Sequence, residues 1–570
     1  MNEEQEQKSI QIRALLAFVL SAAILFLYSR YVVKPQAPKP PAAAVTVTSA
    51  SIPAPAKGVV QATEPKPTAG ASQHAIQSAA QEQTFLVESG NYLVSLSNRG
   101  AVVTSWTLKN YQDEIGRPLE LVNPAAAPEA GFPFSYAPQS ELNQNLFQVE
   151  SSGGPPASTQ QVRLHAPVTL TFRWSDGRVS ARKSFRFSDD SYVVQVQSDL
   201  TRDGAPWPHL LTWRGGFGDF AVEDSARNVK TFYFDAAQNK IIRLDAKAAA
   251  KGPVDNVGNY LYAGVEDHYF AAAFLTENRG QPLTLQTTAV EAATSHESKK
   301  QPFASAAVGG AGDNRFLVYV GPKSLATLRA IQPQLAQLVD FGFFSFIAYP
   351  LFLMLTWTHH WLPNFGWAIV VVTVIINFIL FPLKLKSMQS MKKMQRIQPL
   401  IKHINDKYKN LSMRDPKRQE QNKEVMELYQ KYGVNPLGGC LPMLLQVPFF
   451  FAFYAVLNWS IEMRHMSWLW VKDLSAWDHL YLLPIAMVAT QFFYQKMTPS
   501  TSADPAQQKM MQFMPLIMGF FFYRLPSGLV LYYLTSNLVG ILQQWFINRL
   551  PEPELETGKL KHRPKLKANR

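Results

Sequence analysis

Two periodicities divide this chain. From about 84 to 320, apolar residues alternate with polar ones or run β-branched and aromatic, as in Tyr92–Ser97, 101–108, 168–174, 192–197, 283–290 and 316–320. A period of two puts alternate side chains on one face and predicts strands. Ser175-Asp176-Gly177 lies between two such runs and predicts a hairpin turn. A block of roughly 240 residues can bury its own core. It contains no apolar run of membrane length, and its pattern predicts a β-sandwich domain over 84–320.

Beyond 320 the spacing becomes helical. Leu325, Leu328, Ile331, Leu335 and Leu338 form one stripe over 323–339. Apolar runs follow at 341–357, 367–382, 437–461, 480–497, 510–524 and 528–548, and an earlier one covers 12–33. The run at 12–33 has spanning length, and no small-x-small cleavage site follows it. It predicts a retained signal anchor, with 1–33 as cytoplasmic N-terminus plus anchor. Residues 34–83 are rich in Pro and Ala and predict a flexible tether.

Charge decides which runs cross. The loop 384–434 holds 13 Lys/Arg against five Asp/Glu, and the tail from Arg549 holds seven Lys/Arg. The positive-inside bias places both in the cytoplasm. The four runs between them keep the two on one side. With 367–382 as a fifth span the β-block lies outside, and the run 341–357 is then expected in the outer interface rather than across it. Trp468, Trp470 and Trp477 are expected to anchor the outer loop 463–479 at the membrane surface. The net charge of +13 therefore belongs to cytoplasmic loops and anionic lipid, not to sequence-specific nucleic-acid binding. The expected layout is a multi-domain membrane protein. Interfacial helices cover 321–365, a five-span core covers 366–549 with a cytoplasmic hairpin at 384–434, and a basic tail covers 550–570.

In that hairpin, Asp415-Pro416 starts a helix whose stripe is Val425, Leu428, Tyr429 and Tyr432. Its partner segment carries Met388, Met391 and Met394 among lysines. Two readings stand: a packed, solvated hairpin, or a docking surface in which thioethers meet apolar partners and Lys392, Lys393, Arg396, Lys402, Arg414, Lys417 and Arg418 meet acidic ones.

Chemical motifs are missing. There is no phosphate-binding loop, no H-E-x-x-H and no G-x-S-x-G elbow, and Cys440 is the only cysteine. His359-His360 reads as interfacial polarity and Glu266-Asp267-His268 as a loop or surface cluster. Neither cofactor nor metal is expected, and the chain does not read as an enzyme. The positive signal is polarity inside the apolar runs: Thr373 and Asn377, four apart on one helical face, with Gln446, Asn458, Gln491, Tyr533, Ser536 and Asn537. Each has a plain explanation as a helix–helix hydrogen bond. As a set they suggest a shared hydrated groove, loosened by Pro442, Pro448 and Pro515. A secondary transporter, or an enzyme of exported glycan sited in the β-block, would also use such a layout.

The stretches Asn435-Pro-Leu-Gly-Gly-Cys-Leu-Pro442 with Gln446 and Pro448, Gln495-Lys-Met-Thr-Pro499, Asp504-Pro-Ala-Gln-Gln-Lys509, Phe513-Met-Pro515, Leu525-Pro-Ser-Gly-Leu-Val-Leu-Tyr-Tyr533, Ser536-Asn537 and Gln543-Gln544 resemble the YidC-type membrane protein insertases, kin of the Oxa and Alb proteins. The resemblance implies a groove open to cytoplasm and lipid, lined here by Thr373, Asn377, Gln446, Pro448, Tyr533 and Ser536. It also implies nascent membrane proteins, the Sec translocon, ribosomes, a signal-recognition receptor and lipid as partners. Many members carry an arginine where this sequence has Asn377, so charge selectivity is expected to weaken here. The β-block resembles the family's mutarotase-related sandwich.

Overall fold

The computed structural model describes residues 75–551 apart from 155–159, 223–224, 278–280, 295–299, 410–414, 416, 435–440 and 500–504. The expected anchor, residues 34–74 of the tether, Cys440, Arg414 and the basic tail beyond 551 lie outside the described residues, as do the side chains of Arg418 and Pro442. Residues 75–83, expected to be tether, instead run along the β-domain, where Gln77 pairs with Ser175 and Ala79 N donates to Leu146 O at 2.9 Å.

The alternating runs are strands: Tyr92–Ser97, Val102–Gln112, Val168–Ser175, Val193–Arg202, Leu283–Ala292 and Asp313–Pro322. In Val193–Arg202 the buried positions are Val194, Val196, Ser198 and Leu200, the period-two face that the sequence predicts. Ser175-Asp176-Gly177 turns between Val168–Ser175 and Val179–Phe187. There Asp176 Oδ1 accepts from Val179 N at 2.7 Å, and Gly177 takes φ 94°.

The strands form sheets of five, ten and five. The first runs antiparallel except where Thr84–Glu88 pairs in parallel with Gln161–His165. The inner faces meet in one aromatic-rich core, where Phe134 packs edge-on against Phe185 at 5.3 Å and Trp213 at 6.1 Å.

The other face of the ten-stranded sheet is covered by the segment expected to be one helix. It is two pieces: α1 (Leu325–Ile331) and a 3-10 turn, Pro333–Leu338. Pro333 cannot continue an α-helix, and Gln332 before it is extended at φ −157°. The stripe keeps its purpose, since Leu328, Leu335 and Leu338 pack on Phe232, Tyr262 and Tyr319 of the sheet. Tyr262 Oη donates to Gln334 O at 2.9 Å, which fixes the turn to its strand.

The C-terminal region is helical: α2 (Ser345–Trp361), α3 (Phe365–Lys407), α4 (Lys417–Lys431), α5 (Leu441–Trp459), α6 (Leu482–Met497), α7 (Pro505–Phe522) and α8 (Ser527–Arg549). α8 packs on α3 and α6, α2 bridges α3 and α5, and α7 rests on α6, while α3 and α5 barely touch each other. Among the described residues, α3 alone is long and apolar enough to cross a membrane by length and composition. α6 has only 16 residues, the apolar part of α7 is confined to Lys509–Phe522, and α8 carries many polar side chains.

Trp468, expected at the membrane surface, is instead in the core. It lies between the rings of Trp367 at 5.5 Å and Trp470 at 5.9 Å, directly over Gly366. A Cβ at position 366 would fall 2.1 Å from Trp468 Cδ1. Gly366→Ala should therefore force the indole out and cost about 1–3 kcal/mol. An unchanged thermal midpoint in detergent would refute this packing.

Candidate substrate groove

α3 begins at Asn364, whose Oδ1 accepts from Gly366 N at 2.8 Å while its Nδ2 donates to Ser467 O at 2.7 Å. From there the helix descends unbroken past the two polar residues singled out in the sequence. They behave differently. Thr373 is fully buried and donates to Ile369 O at 2.6 Å in its own helix, so it lines no open surface. Asn377 is half-buried and reaches α8, its Nδ2 lying 3.3 Å from Ser536 Oγ.

Two residues that sequence reasoning did not single out for the groove extend this contact. Gln543 donates from Nε2 to Asn377 O at 3.0 Å. Its Oε1 accepts from Lys384 Nζ, also at 3.0 Å. Lys384 is half-buried, with its ammonium 5.0 Å from the centre of the Tyr494 ring on α6. A polar ladder thus runs from Ser536 through Asn377 and Gln543 to Lys384, where α3, α6 and α8 meet. Asn377 and Lys384 are seven residues apart and share a helical face, so the spacing alone could have located the lysine.

The other expected lining residues lie along α5 and its contact with α8. Gln446 Nε2 donates to Tyr532 Oη rather than meeting Tyr533. Tyr532 stacks on Phe453 at 4.0 Å. Tyr533 is half-buried, 5.1 Å from Phe522 and 6.4 Å from Phe450, and Pro448 is half-buried within α5. Asn537 is buried and donates to Met487 O and Thr490 Oγ1, each at 3.3 Å, as a helix–helix tie. Asn458 belongs to the far end of the core, where its carbonyl meets the β-domain.

That contact corrects a second expectation. Asp267 and His268 do lie in the loop between the strands Tyr260–Glu266 and Phe270–Thr276, but the cluster is not on the surface: Glu266 and Asp267 are buried, and His268 docks on the end of α5. His268 Nε2 donates to Asn458 O at 2.5 Å, and the imidazole stacks on Trp459 at 4.3 Å. Burial pushes His268 down to about 4 and Asp267 up to about 6. Burial would also raise Glu266, but Lys323 at 3.3 Å and Arg243 at 2.6 Å hold it below its ordinary value. Beside them Arg464, from the loop after α5, pairs with Asp219 and lies over the rings of Tyr269 and Phe270. Burial pushes Asp219 up against that pull. His359 stacks on Phe365 at 3.7 Å, and no cluster of three or more potential metal ligands occurs among the described residues.

In the hairpin, Asp415 Oδ1 accepts from Lys417 N at 2.9 Å at the start of α4. Val425, Leu428, Tyr429 and Tyr432 pack on Met394, Ile397 and Ile401 of α3. Met388 and Met391 pack on Ile547 at the end of α8, so all three methionines are buried and none offers a thioether to a partner. Lys392 donates to Ile547 O at 2.6 Å and caps that helix. Arg396, Lys402 and Lys417 are exposed, and Lys393 is half-buried.

Two family models cover most of the chain: the YidC periplasmic domain over 84–354 and the 60Kd inner membrane protein over 357–554. A membrane protein insertase YidC of Syntrophus aciditrophicus is 32% identical over 556 residues, covering 94% of this chain and 99% of that protein. One of Wolinella succinogenes is 43% identical over 296 residues, about half of each chain. A crystal structure of an active YidC insertase, 18% identical, covers 82% of this chain and 94% of that one with a TM-score of 0.33, too loose a superposition to bear on the fold. Nothing in these likenesses favours a solute transporter. The sheet-rich domain, the helical region after it and the matched sequence over nearly the whole length place this chain in the YidC family of membrane protein insertases.

Proposed function

We propose that this protein inserts apolar segments of nascent polypeptides into the inner membrane by way of a polar groove along α8, where it meets α3, α5 and α6. The observation that carries the reading is the ladder Ser536–Asn377–Gln543–Lys384 inside otherwise apolar helices. Polar side chains at that depth are costly in lipid and are tolerated where they meet protein or water. A wet groove reaching part of the way into the bilayer shortens the apolar barrier for a substrate's polar tail. The apolar span that follows gains roughly 25 cal/mol per Å² on leaving water. Lipid supplies the driving force and no nucleotide is required.

In this reading the five spans run as the charge pattern directs, with the hairpin and tail in the cytoplasm and the β-domain outside. The outward side chains of α2 (Phe346, Leu353, Trp357 and Trp361) are exposed and aromatic-rich, which suits the outer interface. The exposed Arg396, Lys402 and Lys417, with Lys393, supply the docking surface for the ribosome or a targeting receptor, and Arg414 and Arg418 are assigned to it from the sequence alone. The buried methionines and Lys392 take no part. Cooperation with the Sec channel belongs to the same reading.

Insertion of a single-span substrate into vesicles tests it. Asn377→Leu combined with Gln446→Leu removes one polar contact on each side of α8 and should slow insertion about tenfold. Undiminished insertion by this double variant would overturn the groove.

A further inference from the structure

Away from the polar ladder, α6 and α7 are joined by two small features. A Cβ added to Gly519 of α7 would fall 2.4 Å from Val488 Cγ2, so the bare glycine lets the two backbones come close. Pro515 has no N–H, which deprives Met511 O of its helical donor, and Gln495 Nε2 of α6 donates to that oxygen instead. Alongside these contacts lies a cleft of about 810 Å³, lined by Pro484, Ile485, Ala489, Phe492, Phe513 and Leu516. Ile485, Phe492, Phe513 and Leu516 are exposed, so the cleft opens outward over a run of apolar surface. Tyr481 and Tyr523 stand together at one end of it, where α6 begins and α7 has ended. The ring of Trp477 lies 5.4 Å from that of Tyr481, giving this mouth the aromatic character of a headgroup boundary. Arg524 is exposed there, its guanidinium 5.4 Å from the centre of the Tyr523 ring, with no ion-pair partner among the described residues.

We propose that the α6–α7 cleft is a phospholipid site, in which an acyl chain of an outer-leaflet lipid fills the apolar wall and the Arg524 guanidinium holds that lipid's phosphate. Three features single out this occupant. From Tyr481 to Phe492 the cleft follows α6 for about 16 Å, the depth of one leaflet's hydrocarbon. Its volume spread over that length leaves a cross-section of about 50 Å², less than the roughly 80 Å² that an α-helix with its side chains occupies, so a flexible chain fits where a second helix does not. The one cation at the mouth presents a planar fork suited to a phosphate and unsuited to an uncharged lipid. The choice of leaflet alone rests on the membrane orientation given above. The site itself lies on helices that meet the groove only through α8 and is independent of the insertion reading.

The test uses the full chain in vesicles doped with phosphatidylglycerol or diacylglycerol, each carrying a diazirine at the middle of one acyl chain. After illumination, peptides 482–496 and 510–523 of the wild-type protein should carry about tenfold more label from phosphatidylglycerol than from diacylglycerol. Arg524→Gln should abolish that preference. Ala489→Phe, which adds a ring to the exposed wall of the cleft, should lower labelling of both peptides about tenfold while the exposed face of α2 is labelled as before. Equal labelling of cleft and α2 in the wild type, or labelling that neither variant changes, overturns the proposal. So does a photo-reactive residue at position 485 that captures a polypeptide, whether a substrate span or a second copy of this chain, in place of lipid. Insertion of a single-span substrate by the same vesicles reports on the insertion reading separately, so the two can fail independently.

Discussion

Arg464→Met should destabilise the joint between β-domain and helical core by about 3–5 kcal/mol, the cost of leaving one member of a buried ion pair alone. The Arg464 and Asp219 side chains are only 3% and 4% exposed, and Glu114, 3.9 Å from the guanidinium, and the nearby Asp267 also feel its charge. With Arg464 gone, Asp219 keeps its buried carboxylate beside Asp267, which itself accepts from Asp219 N at 3.2 Å. The rings of Tyr269 and Phe270 also lose the cation above them. Hydrogen exchange should rise in 216–222 and 460–466 before it rises elsewhere. Arg464→Met with Asp219→Leu should recover most of the loss, because an apolar pair of similar volume carries no desolvation cost. Equal protection in wild type and Arg464→Met would show that the pair does not hold the joint.

Lys183→Met should destabilise the β-domain itself by about 2–4 kcal/mol, with the joint affected only secondarily. Lys183 is fully buried and donates to Gly100 O at 3.1 Å, Ala101 O at 2.9 Å and Phe134 O at 2.7 Å, with the Tyr136 ring 4.0 Å away. Gly100 and Ala101 both have positive φ, 72° and 50°, so this ammonium gathers the carbonyls of a left-handed turn that few other groups could satisfy. Methionine fills the volume but donates nothing, leaving three buried carbonyls short of a partner. Losing a buried charge offsets part of that cost, which keeps the figure below the sum of three lost bonds. Urea unfolding followed by exchange in 95–105 and 134–136 measures it, and an unshifted midpoint would refute the role given to the ammonium.

The strands were legible because period-two patterning is local: each of the six runs carries its own evidence. The hairpin stripe of α4 was legible for the same reason. What sequence could not supply was burial decided by distant partners. Glu266-Asp267-His268 looks like a surface cluster until Asn458 and Trp459, about 190 residues on, close over it. Trp468 has the composition of an interface anchor, and only the bare Gly366 beneath it makes it core. The methionines of α3 look available until Ile547 covers two of them. Lys384 was hidden by bookkeeping of another kind. Charge counting assigns it to a loop, while the helix carries it on the groove face without a break.

That continuity has a consequence for dissecting the molecule. α3 is one helix of 43 residues with Pro382 and Pro399 inside it, and its middle third is stapled to the last turns of α8 by Met388, Met391 and Lys392. The proposed docking surface and the proposed groove wall are therefore two stretches of a single helix. A truncation meant to excise only the hairpin would also remove the contacts that tie α3 to α8, so loss of function in such a mutant cannot by itself be credited to lost docking.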